Sequence, residues 1–323
     1  MLSPAPANIS LLVVLEALLF LNYPVWERVT AYASPDDFGL QLGFAAVAAT
    51  LICHVGPATL AAHWSPPQWL FRVLGSWIIL GNLLVIGLLA FRLDYPAGLV
   101  ILVALFAVGI APFRSVLALL FLACGLVLLL WALYDKREGL GYWTVPNVRM
   151  PRMQWGRELI LELLLAAAPA LPLAWLIGRR TAERKTIWLT GLSGVALPLL
   201  FSCATAMAAL NAGWELHARS KLYLGFAWAL LPPPGLEGWH FAAINLSTAW
   251  PMLPAVIVIQ ELLPPGRRLL HTLWPAALAA LLGYIGSHSH WEGNADRAWA
   301  LSLLLLGLLS PIVYFAWRRK YRT

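Results

Sequence analysis

Residues 99–110 read LVILVALFAVGI. A helix drawn through this run is apolar on every face, and residues 301–309, LSLLLLGLL, repeat the pattern. A membrane β-strand of about ten residues would alternate inward polar and outward apolar positions, and neither run does so. Such stretches recur along the chain at about 17 to 25 residues, the length a helix needs to cross about 30 Å of hydrocarbon. With no water there to satisfy peptide groups, a helix closes its own hydrogen bonds. The expected fold is all-α, a polytopic transmembrane helix bundle.

Working outward, hydrophobic residues make up 61% and charged residues 11% of the 323 positions. An average soluble domain is roughly a quarter charged, so a water-soluble fold is excluded. The net charge of +7 does not point to nucleic acid, because the basic residues gather at the ends of apolar stretches rather than along one stripe. Cys53, Cys124 and Cys203 each lie inside an apolar run without paired spacing, which favours packing over disulfides or thiolate metal sites. No basic region or small-residue cleavage site accompanies residues 11–21, so the first span is expected to stay as an anchor.

The expected spans are approximately 9–23, 38–62, 69–91, 96–111, 115–134, 158–178, 187–211, 241–262, 269–286 and 298–317, about ten in all. If 96–134 is a re-entrant hairpin around Pro112, the full crossings fall to about eight. The whole chain, 1–323, reads as one membrane-embedded domain, with halves 1–134 and 158–317 joined by an extracytoplasmic loop, 135–157. Basic clusters at Arg179, Arg180, Arg184 and Lys185, at Arg267 and Arg268, and at Arg318, Arg319, Lys320 and Arg322 fall on one side of this count. That side is expected to be the cytoplasm of a bacterial-type inner membrane, with both termini there. Lys136, Arg137, Arg149, Arg152 and Arg157 fall opposite, in a long loop where charge has less influence on orientation.

Five spans per half would make the halves enter the membrane in opposite directions, as in inverted-repeat transporters. Span one reads LEALLFLNYPVW, with Glu16 ahead of Pro24; span six reads LELLLAAAPALPLAW, with Glu162 ahead of Pro169 and Pro172. An acid followed by a proline break thus recurs, and proline frees carbonyls that a bound ion or polar substrate can use. An ionisable residue inside a span is a functional candidate by default, although pairing with a neighbouring helix is the plainer alternative. His54, in span two, reads as a hydrogen-bonded packing residue rather than a haem ligand.

Other polar residues collect in the outer connections. His217, His240, His288 and His290, with Glu215, Glu237, Glu292 and Asp296, bracket spans eight and nine. Imidazole and carboxylate together bind divalent metal or act as general acid and base, so His288, His290, Glu215 and Glu292 are the catalytic candidates if the chain is an enzyme. Solvated interfacial histidines are the plainer reading. The run WELHARSK (214–221) offers Arg219 and Lys221 to an anion such as a lipid headgroup or lipid-linked phosphate, with His217 and His240 nearby. Residues 191–194 spell GLSG, which resembles the nucleophile motif of rhomboid intramembrane proteases. That resemblance would make Ser193 the nucleophile and His271 its nearest partner; the rest of the pattern is absent, and small residues in a span commonly mean close packing.

The leading functional expectation is a transporter or permease moving a small or lipid-linked substrate through a cavity open to the extracytoplasmic side, with Glu16, Glu162, Arg219, Lys221, His217 and His240 as substrate-binding candidates. The alternatives are an enzyme acting on a lipid or lipid-linked substrate at the outer leaflet and a subunit of a larger membrane complex. The expected partners are the bilayer, such a substrate, or other membrane subunits.

Overall fold

The computed structural model describes residues 7–22, 38–92, 95–110, 113–135, 170–211, 252–263, 268–288 and 319. Among them there is no strand. The chain runs through α1 (Ile9–Asn22), α2 (Phe38–Ala49), a π-helical segment (Thr50–Val55), α3 (Gly56–His63), α4 (Gln68–Arg92), α5 (Tyr95–Ile110) and α6 (Arg114–Asp135). It continues through α7 (Leu171–Gly178), α8 (Arg184–Gly191), a second π-helical segment (Leu192–Ala196), α9 (Leu197–Asn211), α10 (Met252–Leu262) and α11 (Arg268–His288).

Local sequence explains where these helices start, stop and change winding. Asn8 Oδ1 accepts the Leu11 amide at 2.7 Å, capping α1. At the end of α3 the backbone of Trp64 turns extended ahead of Pro66 and Pro67, which cannot continue a helix. Both π segments run directly into a proline: Pro57 is the second residue of α3 and Pro198 the second of α9. A proline inside a rod lacks its own N–H and clashes with the carbonyl four residues back. Widening the preceding turn relieves that clash without ending the helix, so 38–63 and 184–211 each remain one rod.

Among the described residues three helices are long and apolar enough to cross a membrane, Leu42–His63, Gln68–Ala90 and Arg184–Ala204. They coincide with the second, third and seventh expected spans. The surface matches that reading. Leu40, Phe44 and Val47 on α2, Leu119, Leu120 and Val127 on α6, and Leu281 and Ile285 on α11 are exposed, while Glu16, His54, Asn82, Ser202 and Gln260 are buried. A water-soluble bundle sorts these classes the other way.

Helices from the two ends of the chain interleave. One group places α1 against α7, the second π segment, α9 and α6, with α3 against α7; the other places α4 and α5 against α10 and α11. Small residues set the approach. A side chain at Gly178 would overlap the Ala58 carbonyl of α3, and one at Gly87 would overlap the Ala279 carbonyl of α11, so both contacts require glycine. Trp64 and Trp175 meet edge to face, with centroids 5.3 Å apart, beside the first of these contacts. The helix α10 is buried on all sides from Met252 to Gln260 and forms the middle of the second group.

Candidate functional site

The two π segments meet each other, the second packs against α1, and a fully buried acid and base stand where they come together. Glu16 projects from the middle of α1, and His54 from the first π segment; both are 0% exposed. Nδ1 of His54 stands 2.8 Å from one oxygen of Glu16 and 3.0 Å from the other. On the far side of the ring, Nε2 lies 3.0 Å from the Ile187 carbonyl and 2.9 Å from the Thr190 hydroxyl, both on α8. Thr190 Oγ1 in turn lies 2.9 Å from the carbonyls of Thr186 and Ile187.

These partners settle the protons. The Ile187 carbonyl accepts only, and the Thr190 hydroxyl donates to a carbonyl of its own helix, which leaves its oxygen free to accept. Nε2 therefore carries a hydrogen. Nδ1 and the carboxylate then face each other with one proton between them, as imidazolium with carboxylate or imidazole with carboxylic acid. Either form is neutral overall. That is what a hydrocarbon interior tolerates, since an isolated charge there costs several kcal/mol.

The GLSG stretch is the wall of this site. A Cβ on Gly191 would come within 2.8 Å of the His54 ring, and one on Gly194 within 2.8 Å of Glu16 Oε2. Its glycines make room for the pair, and its serine takes no part. Ser193 is exposed and donates to the Leu189 carbonyl at 2.8 Å, while the histidine that reaches this helix, His54, meets Thr190 instead. Among the described side chains no histidine bonds Ser193, and the side chain of His271 lies outside them.

A second cluster lies at the helix ends. Glu261, at the end of α10, accepts from the Ala7 amide at 2.7 Å and Arg114 Nη1 at 3.1 Å through Oε1, and from Arg180 Nη2 at 2.7 Å through Oε2. One carboxylate thus gathers the ends of α1, α6, α7 and α10. Glu16 follows Ala7 by nine residues, most of them in α1, so the inner pair lies about 13 Å along the helix axis from this cluster.

No family model, no curated protein and no solved structure matches this chain. The site is therefore read from its chemistry alone. Of the sequence candidates, Glu16 stands in the buried pair. His288 is exposed at the end of α11, its Nδ1 lying 2.9 Å from the Tyr284 carbonyl and its ring stacked at 4.2 Å on Tyr284. Glu162, Glu215, His217, Arg219, Lys221, His240, His290 and Glu292 lie outside the described residues. Among the described residues no group of three His, Cys, Asp or Glu side chains is placed to hold a metal ion.

Sequence reasoning missed that His54 has a facing partner, and gave Glu261 no role. The available signal was that Glu16 and His54 are polar residues in mid-run on successive spans, each needing a counterpart. Arg180 counted only as an orientation signal and Arg114 was given no role, although both serve Glu261.

Proposed function

We propose that this chain is a multi-pass membrane transporter of about ten spans with the Glu16–His54 pair as its central site. Both termini and the Glu261 cluster face the cytoplasm in this reading, and the substrate-binding cavity opens to the other side. The observation that carries it is a fully buried acid and base, the base on one π-wound segment and the acid packed against Gly194 of the other. Intramembrane ionisable pairs mark ion and substrate pathways, and π turns recur at functional sites. The pairing of each half's second span at this level agrees with a 5+5 inverted repeat. Hydrolytic chemistry is less well served, because the Thr190 hydroxyl turns toward backbone carbonyls and Nε2 carries a hydrogen. The small or lipid-linked cargo would meet Arg219, Lys221, His217 and His240 at the outer mouth and Glu16 and Glu162 within.

The test compares cells carrying wild type, Glu16→Gln at matched membrane levels, or no protein, by untargeted profiling of small molecules and lipid-linked sugars inside and outside. The wild-type change is expected to vanish in Glu16→Gln. Identical profiles for wild type and variant would remove the transporter reading. Cysteines placed at Ser289 and Arg319 are expected to label from opposite compartments, and labelling from one compartment would overturn the sidedness.

A further inference from the structure

We infer that the ion handled by the Glu16–His54 pair is a proton, taken up and released by carboxylate and imidazole together, and not an alkali or divalent cation. This rests on the pair being a transport site. The argument is geometric. Calcium takes about six to eight oxygen ligands at about 2.3 to 2.6 Å and magnesium an octahedral set at about 2.0 to 2.1 Å, and an alkali ion likewise needs a shell of oxygens. Here both Glu16 oxygens are spent on one nitrogen, 2.8 and 3.0 Å away, and Gly194 closes on Oε2 so nearly that even a methyl group would collide. The remaining groups, Nε2 with the Ile187 carbonyl and Thr190 hydroxyl, saturate one another. Only a proton fits between Nδ1 and the carboxylate.

The step balances simply. When the proton crosses the bridge, the Nδ1–H bond breaks and its electron pair stays on nitrogen, while an O–H bond forms on Glu16. The pair stays neutral, so the transfer costs little in hydrocarbon. Release to water through an opened mouth leaves a carboxylate beside neutral imidazole, a state with net negative charge that a closed bundle disfavours. Proton loss is thereby tied to opening, or to cargo arriving with a compensating charge.

The surroundings keep this proton separate from others. Among the described residues the thiols of Cys53, on the same π segment, and Cys203, on α9, are also buried. Of the charged groups on elements packed against the pair, Arg114, Arg180 and Glu261 are bound to one another at the helix ends. Arg184 and Lys185 at the start of α8 and His63 at the end of α3 are exposed, as are Cys124 and Tyr134 on α6. None of these lies within hydrogen-bond reach of the bridge among the described residues.

The experiment uses the full chain in lipid vesicles and records infrared difference spectra from about pH 5 to about pH 9, the range in which imidazole changes charge. Spectra are taken in choline chloride, then in sodium, potassium and magnesium chloride at equal ionic strength. The expected result is one step in which carboxyl and imidazole bands change together, the same in all four salts and absent from Glu16→Gln and His54→Gln. A step that moves with sodium, potassium or magnesium at fixed pH, or one that persists in either variant, overturns the inference. So does the absence of any step in wild type, which makes the pair a fixed lock. Should the Gln variants not fold, Glu16→Asp keeps the acid but shortens its reach by one methylene, and an unmoved step there also overturns it. Cation-dependent spectra alongside lost transport in Glu16→Gln would leave the transporter reading standing and remove the proton alone.

Discussion

Glu16 and Glu261 are both carboxylates bound by basic side chains, yet the two sites are built for different surroundings. Glu16 is 0% exposed and answers to one imidazole, so acid and base cancel. Glu261 is 8% exposed and holds two guanidinium groups, 9% and 23% exposed, which leaves its cluster with a net positive charge. Water can screen the second arrangement at a helix end, whereas hydrocarbon permits only the first. Depth in the bilayer therefore decides which ion pair a sequence can carry, and the inner pair has little to gain from charge and much to lose from a missing partner.

The contrast is open to direct attack. The largest effect is expected from Glu16→Leu, which leaves the His54 ring buried without its counterpart. A loss of about 3 kcal/mol is expected in denaturant unfolding of the purified chain, between the cost of an orphaned neutral donor and that of an orphaned charge. A loss below about 0.5 kcal/mol would erase the distinction between the sites. Glu261→Gln is expected to cost about 1 kcal/mol, because one acceptor oxygen remains and Arg180 can turn to water. Added salt should narrow the wild-type advantage over this variant and leave the cost of Glu16→Leu unchanged, since only the outer cluster lies within reach of counterions. Ser193→Ala should change stability by less than about 0.5 kcal/mol and leave activity as it was, because Ser193 is exposed and bonded to its own helix. A lost activity in that variant would return the GLSG serine to the site.

How much of this was legible beforehand follows from what each feature depends on. Apolar run length is local, and the runs at 38–62, 69–91 and 187–211 correspond to the three membrane-length helices. The partnership of Glu16 with His54 is not local: it depends on how two helices are rotated against each other, and the π turn at Thr50–Val55 alters that rotation. Pro57 and Pro198 lie inside two of these runs, but a proline does not state whether its helix will kink, end or widen. The glycines of GLSG were legible as close-packing residues, whereas the side chains they accommodate were not. Arg180 sat where orientation rules place basic residues, which hid its second role, and nothing local to Arg114 marked it as the other partner of Glu261.

Each π turn amounts to one surplus residue threaded into an otherwise ordinary winding. Downstream of it, every side chain points about 100° from where the uninterrupted spiral would send it. In the rod 38–63 the turn itself carries His54, whose ring meets Glu16 of α1. The chain thus keeps its central chemistry by a matter of phase: removing one aliphatic residue from within this turn keeps every polar residue in the sequence but rotates the two ends of the rod against each other by about 100°, and with them the bearing of the imidazole on its acid.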